Sequence, residues 1–482
     1  MQIDQLVVQK CSFRKQKKIL LVFLLLLTGG LAIGQRTPNV VLILADDMGY
    51  GDSGCYGQQL ISTPNIDQLA REGIRFTQFY AGAPVCAPSR SSLMTGQHTG
   101  HTPIRGNYEV APEGQLALPD SAVTIAQLFK KAGYVTGDFG KWGLGYVGTS
   151  GDPNKKGFDY FFGYNCQALA HNYFPDHLWN NDQRIAYPDN PSNEKIYSAD
   201  LIQEKALSFI QDHSDTPFFL FLSYTLPHAA LQLPKGDSVF EMYKKQFNEQ
   251  PRAILQPWNG KGYEPQAYPH AAYAAMVSRL DTYVGAIERA LKKAGIYEQT
   301  MIIFTSDNGP HAEGGNDPKF FNSSGGYRGM KRDLYEGGIL EPMIVSWPGV
   351  IQKGLVTAQP AAFWDLMPTF GELIHEPVPA NVDGLSLLPL LTGKGKQKQH
   401  DYLYWEFHEN GGSQAVRMGN WKAIRLQVNS GKPLPVELYN LKADPAELIN
   451  VAGHYPEILI RMEKIIRGAH TDNLNFPFGG SN

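Results

Sequence analysis

The chain has 482 residues, of which 43% are hydrophobic and 18% charged, and its formal net charge is −3. These values exclude a largely disordered protein and a strongly basic surface for nucleic acid, so no nucleic-acid partner is expected. The length favours one large domain with a smaller second domain.

The N-terminus has the three parts of an export signal. Basic residues between positions 14 and 18 precede an apolar run at 19–27, and small residues follow as far as Gly34. This order predicts a signal peptide over residues 1–34 and an exported protein, either periplasmic or secreted. A membrane anchor is the alternative, but the run is shorter than the roughly 20 residues that a span needs. No stable membrane anchor is therefore expected.

Buried strands and amphipathic helices alternate in the next part of the chain. Continuous apolar runs predict strands buried on both faces at Asn39–Ala45, 217–224, 301–305 and 343–347. A period of 3.6 residues predicts helices at 66–73, 123–132, 198–213 and 271–294. The alternation predicts an α/β fold in which helices sandwich a large, mainly parallel sheet.

Two long stretches, 142–193 and 227–270, lack a regular pattern and are rich in aromatic, Gly and Pro residues. Loops this long are usually functional, so they are interpreted as walls of a substrate pocket. Ordinary surface insertions are the alternative.

The C-terminal part is expected to form a separate small domain. A basic, Gly-rich linker at 393–400 marks its start, and strand-like segments and a final helix follow at 402–407, 420–426 and Pro456–Gly468. This pattern predicts a catalytic α/β domain over 35–395 and an α+β domain with an antiparallel sheet over 396–482.

Cysteine is sparse in this exported chain. Removal of the leader takes away Cys11 and leaves Cys55, Cys86 and Cys166. Exported proteins normally pair their thiols, and three is an odd number, so one of these residues is expected to have another task. The residues that surround Cys86 make it the candidate.

The strongest motif begins at Cys86. The segment CAPSR at 86–90, followed by Leu93, Thr95 and Gly96, resembles the signature of the sulfatase family, in which the cysteine is oxidised to Cα-formylglycine. The resemblance extends over nearly the whole mature chain through NVVLI at 39–43, TPNID at 63–67, GKW at 140–142, SDNG at 306–309, YEGG at 335–338 and ELYN at 437–440. It implies a sulfuric ester hydrolase with an alkaline-phosphatase-like fold. It also implies a maturing partner, either a formylglycine-generating enzyme or an anaerobic sulfatase-maturating enzyme.

The chemistry of sulfate ester hydrolysis suits such a residue. Water attacks this tetrahedral anion slowly, so an enzyme needs a strong nucleophile, cationic clamps and a Lewis acid. One hydroxyl of a hydrated aldehyde attacks sulfur, and the other then collapses to the aldehyde and releases sulfate. A helix predicted at 89–95 has its N-terminus, which favours anions, near residue 86. A buried free thiol at Cys86 is the alternative.

Oxygen-bearing side chains follow two of the predicted strands. Asp46 and Asp47 end the first strand, and Asp307 and Asn308 follow another, where ligand sites of open α/β sheets lie. An all-oxygen set selects calcium or magnesium over zinc. The resemblance favours one calcium ion and adds Cys86, as formylglycine, to its ligands. For the Asp46–Asp47 pair, a capped turn is the alternative.

The resemblance assigns further roles to cationic and histidine side chains. Arg90 and Lys141 correspond to residues that contact the formylglycine and the sulfate, and Lys331 to a lysine on the opposite side of the sulfate. His228 matches a histidine beside the leaving-group oxygen, where imidazole suits proton donation to an alkoxide.

The chain departs from the family pattern at Gly143 and at Leu340. Many members have a histidine at the position of Gly143, where it helps to deprotonate the second hydroxyl. His311, which closely follows the metal ligands, is the candidate for that vacant role. An arginine is frequent at the position of Leu340, and no effect on the mechanism is expected.

Six polar residues are candidates for substrate binding: His101, Arg105, Asn107, His171, His408 and Glu409. Such side chains bind sugar hydroxyls directionally, and aromatic residues such as Tyr173 and Trp179 can stack on the apolar face of a sugar ring. Their patterns resemble bacterial carbohydrate sulfatases that act on galactose or N-acetylgalactosamine, so a sulfated carbohydrate is expected as substrate.

Two other functions stay open. The first is a phosphatase or phosphonate monoester hydrolase of the same superfamily. Most of those enzymes carry two metals, and the chain has no convincing second set of His and Asp ligands. The second is a catalytically inactive protein that binds sulfated glycans and keeps Cys86 as a thiol.

Overall fold

The structure is a computed structural model, and it describes residues 37–254 and 262–478. The predicted signal peptide lies outside these residues. Among the helices that are described, none has the length and apolar character that crossing a membrane requires.

Seventeen strands lie in the described residues. In chain order they are β1 (Asn39–Ala45), β2 (Ile74–Tyr80), β3 (Glu109–Val110), β4 (Gly114–Gln115), β5 (Val135–Lys141), β6 (Tyr160–Tyr164), β7 (His177–Asn180), β8 (Gln183–Ala186), β9 (Phe218–Ser223), β10 (Thr300–Ser306), β11 (Leu340–Ser346), β12 (Leu355–Thr357), β13 (Ala361–Ala362), β14 (Leu403–Phe407), β15 (Ser413–Met418), β16 (Trp421–Leu426) and β17 (Glu437–Asn440).

Twelve α-helices lie between and after these strands in the same described ranges. They are α1 (Pro64–Glu72), α2 (Cys86–Thr95), α3 (Ile125–Lys131), α4 (Asn190–Asn193), α5 (Ser198–Asp212), α6 (Ser238–Gln246), α7 (Pro269–Lys293), α8 (Pro318–Phe321), α9 (Glu336–Ile339), α10 (Leu366–Leu373), α11 (Leu388–Thr392) and α12 (Pro456–Gly468).

The large sheet has the strand order β12-β2-β11-β10-β1-β9-β5-β6-β7-β8, and β13 also pairs with β2. Its centre, from β10 through β1, β9 and β5 to β6, is parallel, and antiparallel strands flank it on each side. The prediction of a mainly parallel sheet is therefore confirmed. The register aligns Ala45 with Ser306 and Leu44 with Ser223, so the carboxyl ends of β1, β10 and β9 meet at one edge.

Both faces of the sheet are covered, because the central strands are apolar on both sides. On β1, Val41 and Ile43 join a core that α5 and α7 cover, whereas Leu42 and Leu44 join an opposite core beneath α2, α3 and α10. The predicted sandwich of helices around the sheet is thus confirmed.

Several predictions of single elements need correction. The strand expected at 343–347 begins at residue 340 and runs antiparallel to β10, and β2 and β5 were not predicted. The stretch 142–193 contains β6, β7 and β8, so its description as irregular was wrong, and 227–270 contains α6. Whether these segments form strands depends on their pairing with distant strands, which a local sequence pattern does not reveal.

The small antiparallel sheet has the order β14-β15-β16-β17 and carries α12. It confirms the predicted strands near 402–407 and 420–426 and adds β15 and β17. The sheet packs directly on the rest of the described chain. Trp405 Nε1 donates to Ala81 O (2.9 Å), and the buried Lys422 contacts Glu336 (2.8 Å) and Glu447 (3.0 Å). The domain boundary near residue 395 stays a prediction.

Candidate active site

The carboxyl end of β1 carries Asp46 and Asp47, which are both fully buried. Asp47 has a φ of +60°, a left-handed conformation that Asp tolerates better than most residues and that turns the chain sharply after the strand. Its backbone N donates to Asp307 Oδ1 (3.1 Å), so the residues after β1 and β10 are joined. The predicted meeting of these strand ends is observed.

The Oδ2 atoms of three buried carboxylates each contact a different cationic side chain. Lys141 Nζ lies 2.6 Å from Asp46, and Lys331 Nζ lies 2.7 Å from Asp47. Arg90 at the same time donates to Asp307, with nitrogen–oxygen distances of 2.9 and 3.0 Å. The three cations named for sulfate binding are therefore gathered in one buried cluster.

Cys86 begins α2, so it lies at the helix N-terminus, three residues before the start that the sequence suggested. Its Sγ lies 3.3 Å from Asp46 Oδ1 and 3.9 Å from Asp47 Oδ1, and the side chain is buried. Burial raises the pKa of the thiol well above its usual value, and the Asp46 carboxylate adds to the rise. The thiol therefore keeps its proton. Cys55 and Cys166 are free thiols as well.

The donors around residue 86 fit a hard divalent cation. Asp46, Asp47, Cys86 and His228 offer ligand atoms that all lie within 4.8 Å of one another. Asn308 donates its Nδ2 to Asp47 Oδ1 (2.7 Å), whereas its buried Oδ1 has no partner among the described residues. Burial of an oxygen without a hydrogen-bond partner costs free energy. Coordination to a metal ion would give Asn308 Oδ1 such a partner.

The charges of the cluster also favour binding of a metal cation together with an anionic substrate. The carboxylates of Asp46, Asp47 and Asp307 balance three cations. Burial would raise the pKa of Asp46, but the neighbouring cations, Lys141 foremost, hold it well below its usual range. A divalent ion would give this balanced cluster a net positive charge, which favours an anionic substrate.

His228 lies beside Lys331, whose Nζ is 3.1 Å from His228 Nε2. His228 Nδ1 donates to Ala229 O, so Nε2 is left as the acceptor that faces the lysine. Burial and the charge of Lys331 hold the pKa of His228 well below its usual value. The His171 ring stacks on His228 at 5.1 Å, so the stretch 142–193 does reach the site.

Tyr263, which the sequence analysis missed, lies against this histidine pair. Its ring centroid is 4.7 Å from that of His171 and 5.6 Å from that of His228. The expected stacking residue Tyr173 is instead fully buried, and its hydroxyl donates to Thr225 O (2.6 Å). The Tyr173 ring stacks instead on that of the buried Tyr197 (5.3 Å), which leaves the expected contact with a sugar without support. Position within an aromatic-rich loop could not distinguish the two tyrosines.

His311 lies behind His228, with ring centroids 5.7 Å apart. Its Nε2 contacts Pro227 O (3.2 Å), and its Nδ1 accepts from Glu313 N (3.1 Å). Both ring nitrogens therefore have partners within the protein. The role suggested for His311 in place of a residue at Gly143 stays a prediction.

Asn107, one of the candidate substrate residues, is hydrogen-bonded to the first turn of the helix that Cys86 begins. Asn107 Oδ1 accepts from Ala87 N (3.1 Å), and its own backbone N donates to Glu409 Oε1 (3.1 Å). Asn107 is exposed, so it can also contact a substrate at the rim.

The other three candidates belong to networks that hold the chain together. Arg105 donates to Thr471 O (2.7 Å) and contacts Glu406 (3.4 Å). His408 contacts the same Glu406 carboxylate at 3.0 Å. His101 Nδ1 lies 2.9 Å from Asp383 Oδ1, and its ring stacks on that of His98. None of these bonds connects the three residues to Cys86.

Comparison with known proteins agrees with this fold. The family model Sulfatase matches residues 38–376, and a model for the C-terminal part of N-sulphoglucosamine sulphohydrolase matches residues 326–470. Human Arylsulfatase A is 34% identical over 501 residues, which cover 92% of this chain and 89% of that protein. Mouse Steryl-sulfatase is 30% identical, with coverage of 82% and 72%. A solved structure of Ps i-CgsB in complex with k-i-k-neocarrahexaose has a TM-score of 0.74 and 29% identity, with coverage of 90% and 93%.

Paired carboxylates and cations at the edge of a parallel sheet, beside a helix N-terminus, are suited to binding and hydrolysing an anionic ester. The chain belongs to the sulfatase family. It is a sulfuric ester hydrolase.

Proposed function

We propose that the protein hydrolyses a sulfate ester of a carbohydrate, of the galactose or N-acetylgalactosamine type, with a formylglycine made from Cys86. The observation that carries the proposal is the position of Cys86 at the start of α2, with Sγ 3.3 Å from Asp46 and with three buried cations around it. One hydroxyl of the hydrated aldehyde attacks sulfur and expels the alcohol. The other then loses its proton as the aldehyde reforms and sulfate leaves.

The ion that fits the site is calcium, with magnesium as the alternative. Asp46, Asp47, Asp307 and Asn308 would hold it together with residue 86, since each is buried and offers oxygen. Such an ion supplies Lewis-acid stabilisation of negative charge. Arg90, Lys141 and Lys331 orient the sulfuryl group from their positions on the three carboxylates.

The sugar is proposed to lie against the Tyr263 and His171 rings, with Asn107 and Glu409 at the rim. Support comes from the geometry of these rings and from the oligosaccharide bound by the similar Ps i-CgsB. Arg105, His101 and His408 are proposed to shape this rim through Glu406 and Asp383 instead of touching the sugar.

Tyr263→Ala is expected to lower kcat/KM for a sulfated monosaccharide about three- to tenfold, because the apolar face of the sugar loses its platform. Tyr263→Phe should keep most activity. Inhibition by inorganic sulfate, which has no ring, should not change. Tyr455→Ala, which removes an exposed aromatic ring immediately before α12, is the control. If Tyr263→Ala weakened inhibition by inorganic sulfate as much as it lowered kcat/KM for the sugar sulfate, the result would contradict this position of the sugar.

A screen of defined sulfated monosaccharides, with released sulfate measured beside aryl sulfate and aryl phosphate, tests the reaction itself. Galactose and N-acetylgalactosamine sulfates should be cleaved best, and the aryl phosphate poorly. Faster cleavage of the phosphate would support the phosphatase or phosphonate monoester hydrolase instead.

His228→Ala is expected to reduce turnover of a sugar sulfate about a hundredfold or more, and that of an activated aryl sulfate far less. The reason is that a sugar alkoxide needs a proton as it leaves. We propose that Lys331 Nζ passes a proton to His228 Nε2, which gives it to the departing oxygen. Steady-state kinetics on both esters measures the difference. A similar loss on both esters would show that His228 does not act on the leaving group.

His311→Ala should slow both esters similarly if this residue assists release of sulfate in place of a side chain at Gly143. Sulfated enzyme should then accumulate, which quenched mass spectrometry detects. Unchanged rates on both esters would remove His311 from the mechanism.

Export to the periplasm or the medium and maturation by a formylglycine-generating or anaerobic enzyme complete the proposal. The proposal also includes a division into a catalytic domain over 35–395 and a small domain over 396–482. Support for them comes from the predicted signal peptide, from the cysteine motif and from the separate small sheet.

A further inference from the structure

Gln167 has a buried amide nitrogen without a hydrogen-bond partner among the described residues. The residue lies in the loop between β6 and a short turn at Leu169–His171, and its side chain is only 5% exposed. Its backbone is held, because Gln167 N donates to Gln115 Oε1 (3.3 Å). An unpaired buried amide is costly, so it indicates a missing partner.

The fold brings this loop to the strand end that carries Lys141. The pairing of β5 with β6 continues past Lys141 as far as Gly143, whose N donates to Asn165 O (3.1 Å). Gln167 lies two residues after Asn165. Lys141 itself reaches Asp46 at 2.6 Å, so the loop that carries Gln167 continues from the strand paired with the one that supplies this side chain of the active-site cluster.

The Gln167 amide occupies the space in front of Gly143. A Cβ on residue 143 would lie 2.3 Å from Gln167 Nε2, and the φ of Gly143 is +72°. A side chain at position 143 and the amide therefore compete for one volume. The same loop continues to His171, whose pKa is lowered to about 3 by burial and by the charges of Lys141 and Lys331.

We propose that Gln167 Nε2 donates a hydrogen bond to an oxygen of the bound sulfuryl group on its Lys141 side. This inference rests on the proposed function, since a sulfate ester supplies the acceptor. The amide adds a directional donor without adding charge to a cluster that already holds three cations. The absence of a side chain at Gly143 leaves room for the amide, and the φ of +72° independently favours glycine there.

Binding of inorganic sulfate tests the proposal without any turnover. Sulfate is titrated by calorimetry into calcium-loaded Cys86→Ala protein, with and without Gln167→Leu. Loss of the donor should weaken sulfate binding about tenfold or more. Gln97→Leu is the matched control, because Gln97 is also buried but its Nε2 already donates to Asn381 O (3.1 Å). The Gln97→Leu variant should bind sulfate with unchanged affinity.

Equal affinities with and without Gln167→Leu would overturn the role of Gln167 while leaving the proposed sulfatase mechanism standing. Absence of sulfate binding in every protein of the series would overturn the anion site, and this proposal with it. Turnover of sulfated sugars by the matured wild type, measured separately, distinguishes the two failures.

Gly143→Ala provides a second test. Its methyl group would displace the amide, so sulfate binding should weaken in the protein that keeps Gln167 and much less in a Gln167→Ala background. Equal losses in both backgrounds would assign the effect to backbone strain at residue 143 and contradict the proposal.

Discussion

Replacement of Cys86 by alanine is expected to abolish sulfate release, with a loss on the order of 10⁴-fold or more, while the fold stays intact. The residue begins α2 beside Asp46, and its modified form is proposed to perform both the attack on sulfur and the release of sulfate. Released sulfate measures the loss, and a thermal unfolding curve that matches the wild type verifies the fold.

Cys86→Ser separates the two half-reactions. A single hydroxyl can accept the sulfuryl group but cannot eject it as an aldehyde, so one turnover should be followed by very slow release. Mass spectrometry of the peptide around residue 86 of the wild type should detect the aldehyde. Normal multiple turnover by either variant would refute the mechanism. A wild type that keeps the thiol and cleaves no ester would support the inactive glycan-binding protein.

Removal of the metal by a chelator is expected to lower turnover at least about a hundredfold, because negative charge in the transition state loses its Lewis acid. Asp307→Ala should have a similar effect, since Asp307 accepts from the backbone of Asp47 and also contacts Arg90. Calcium or magnesium should restore the chelated wild type but not the variant. The metal content of each sample is measured alongside its activity.

Asp212→Ala, which changes an exposed residue at the end of α5, is the matched control and should keep both metal content and activity. The wild type should also unfold at a lower temperature after the metal is removed, because a bound ligand stabilises the folded state. Full activity in a sample verified to be free of metal would contradict the assignment of Asp46, Asp47, Asp307 and Asn308.

The amino-acid sequence alone determined the centre of the sheet and singled out Cys86 as the position proposed for the nucleophile. Continuous apolar runs revealed β1, β9 and β10, because strands buried on both faces need apolar side chains at every position. Ligand sites of open α/β sheets lie at the carboxyl ends of the strands, so Asp46 and Asp307 could be proposed as site residues. β5 was missed, since its sequence VTGDFGK has two glycines and two charges and takes its stability from its neighbours.

Only the tertiary structure decided which side chains of the long loops reach the site. Tyr173 and Tyr263 lie in similar aromatic segments, yet one is buried under the His228 loop and the other packs against the His228 ring. Likewise, nothing local to Gln167 indicates that its amide lies over Gly143. The physical reason is that a strand or a helix follows from periodicity within one segment. A contact between two loops depends instead on the pairing of distant strands, here β5 with β6 and β1 with β9.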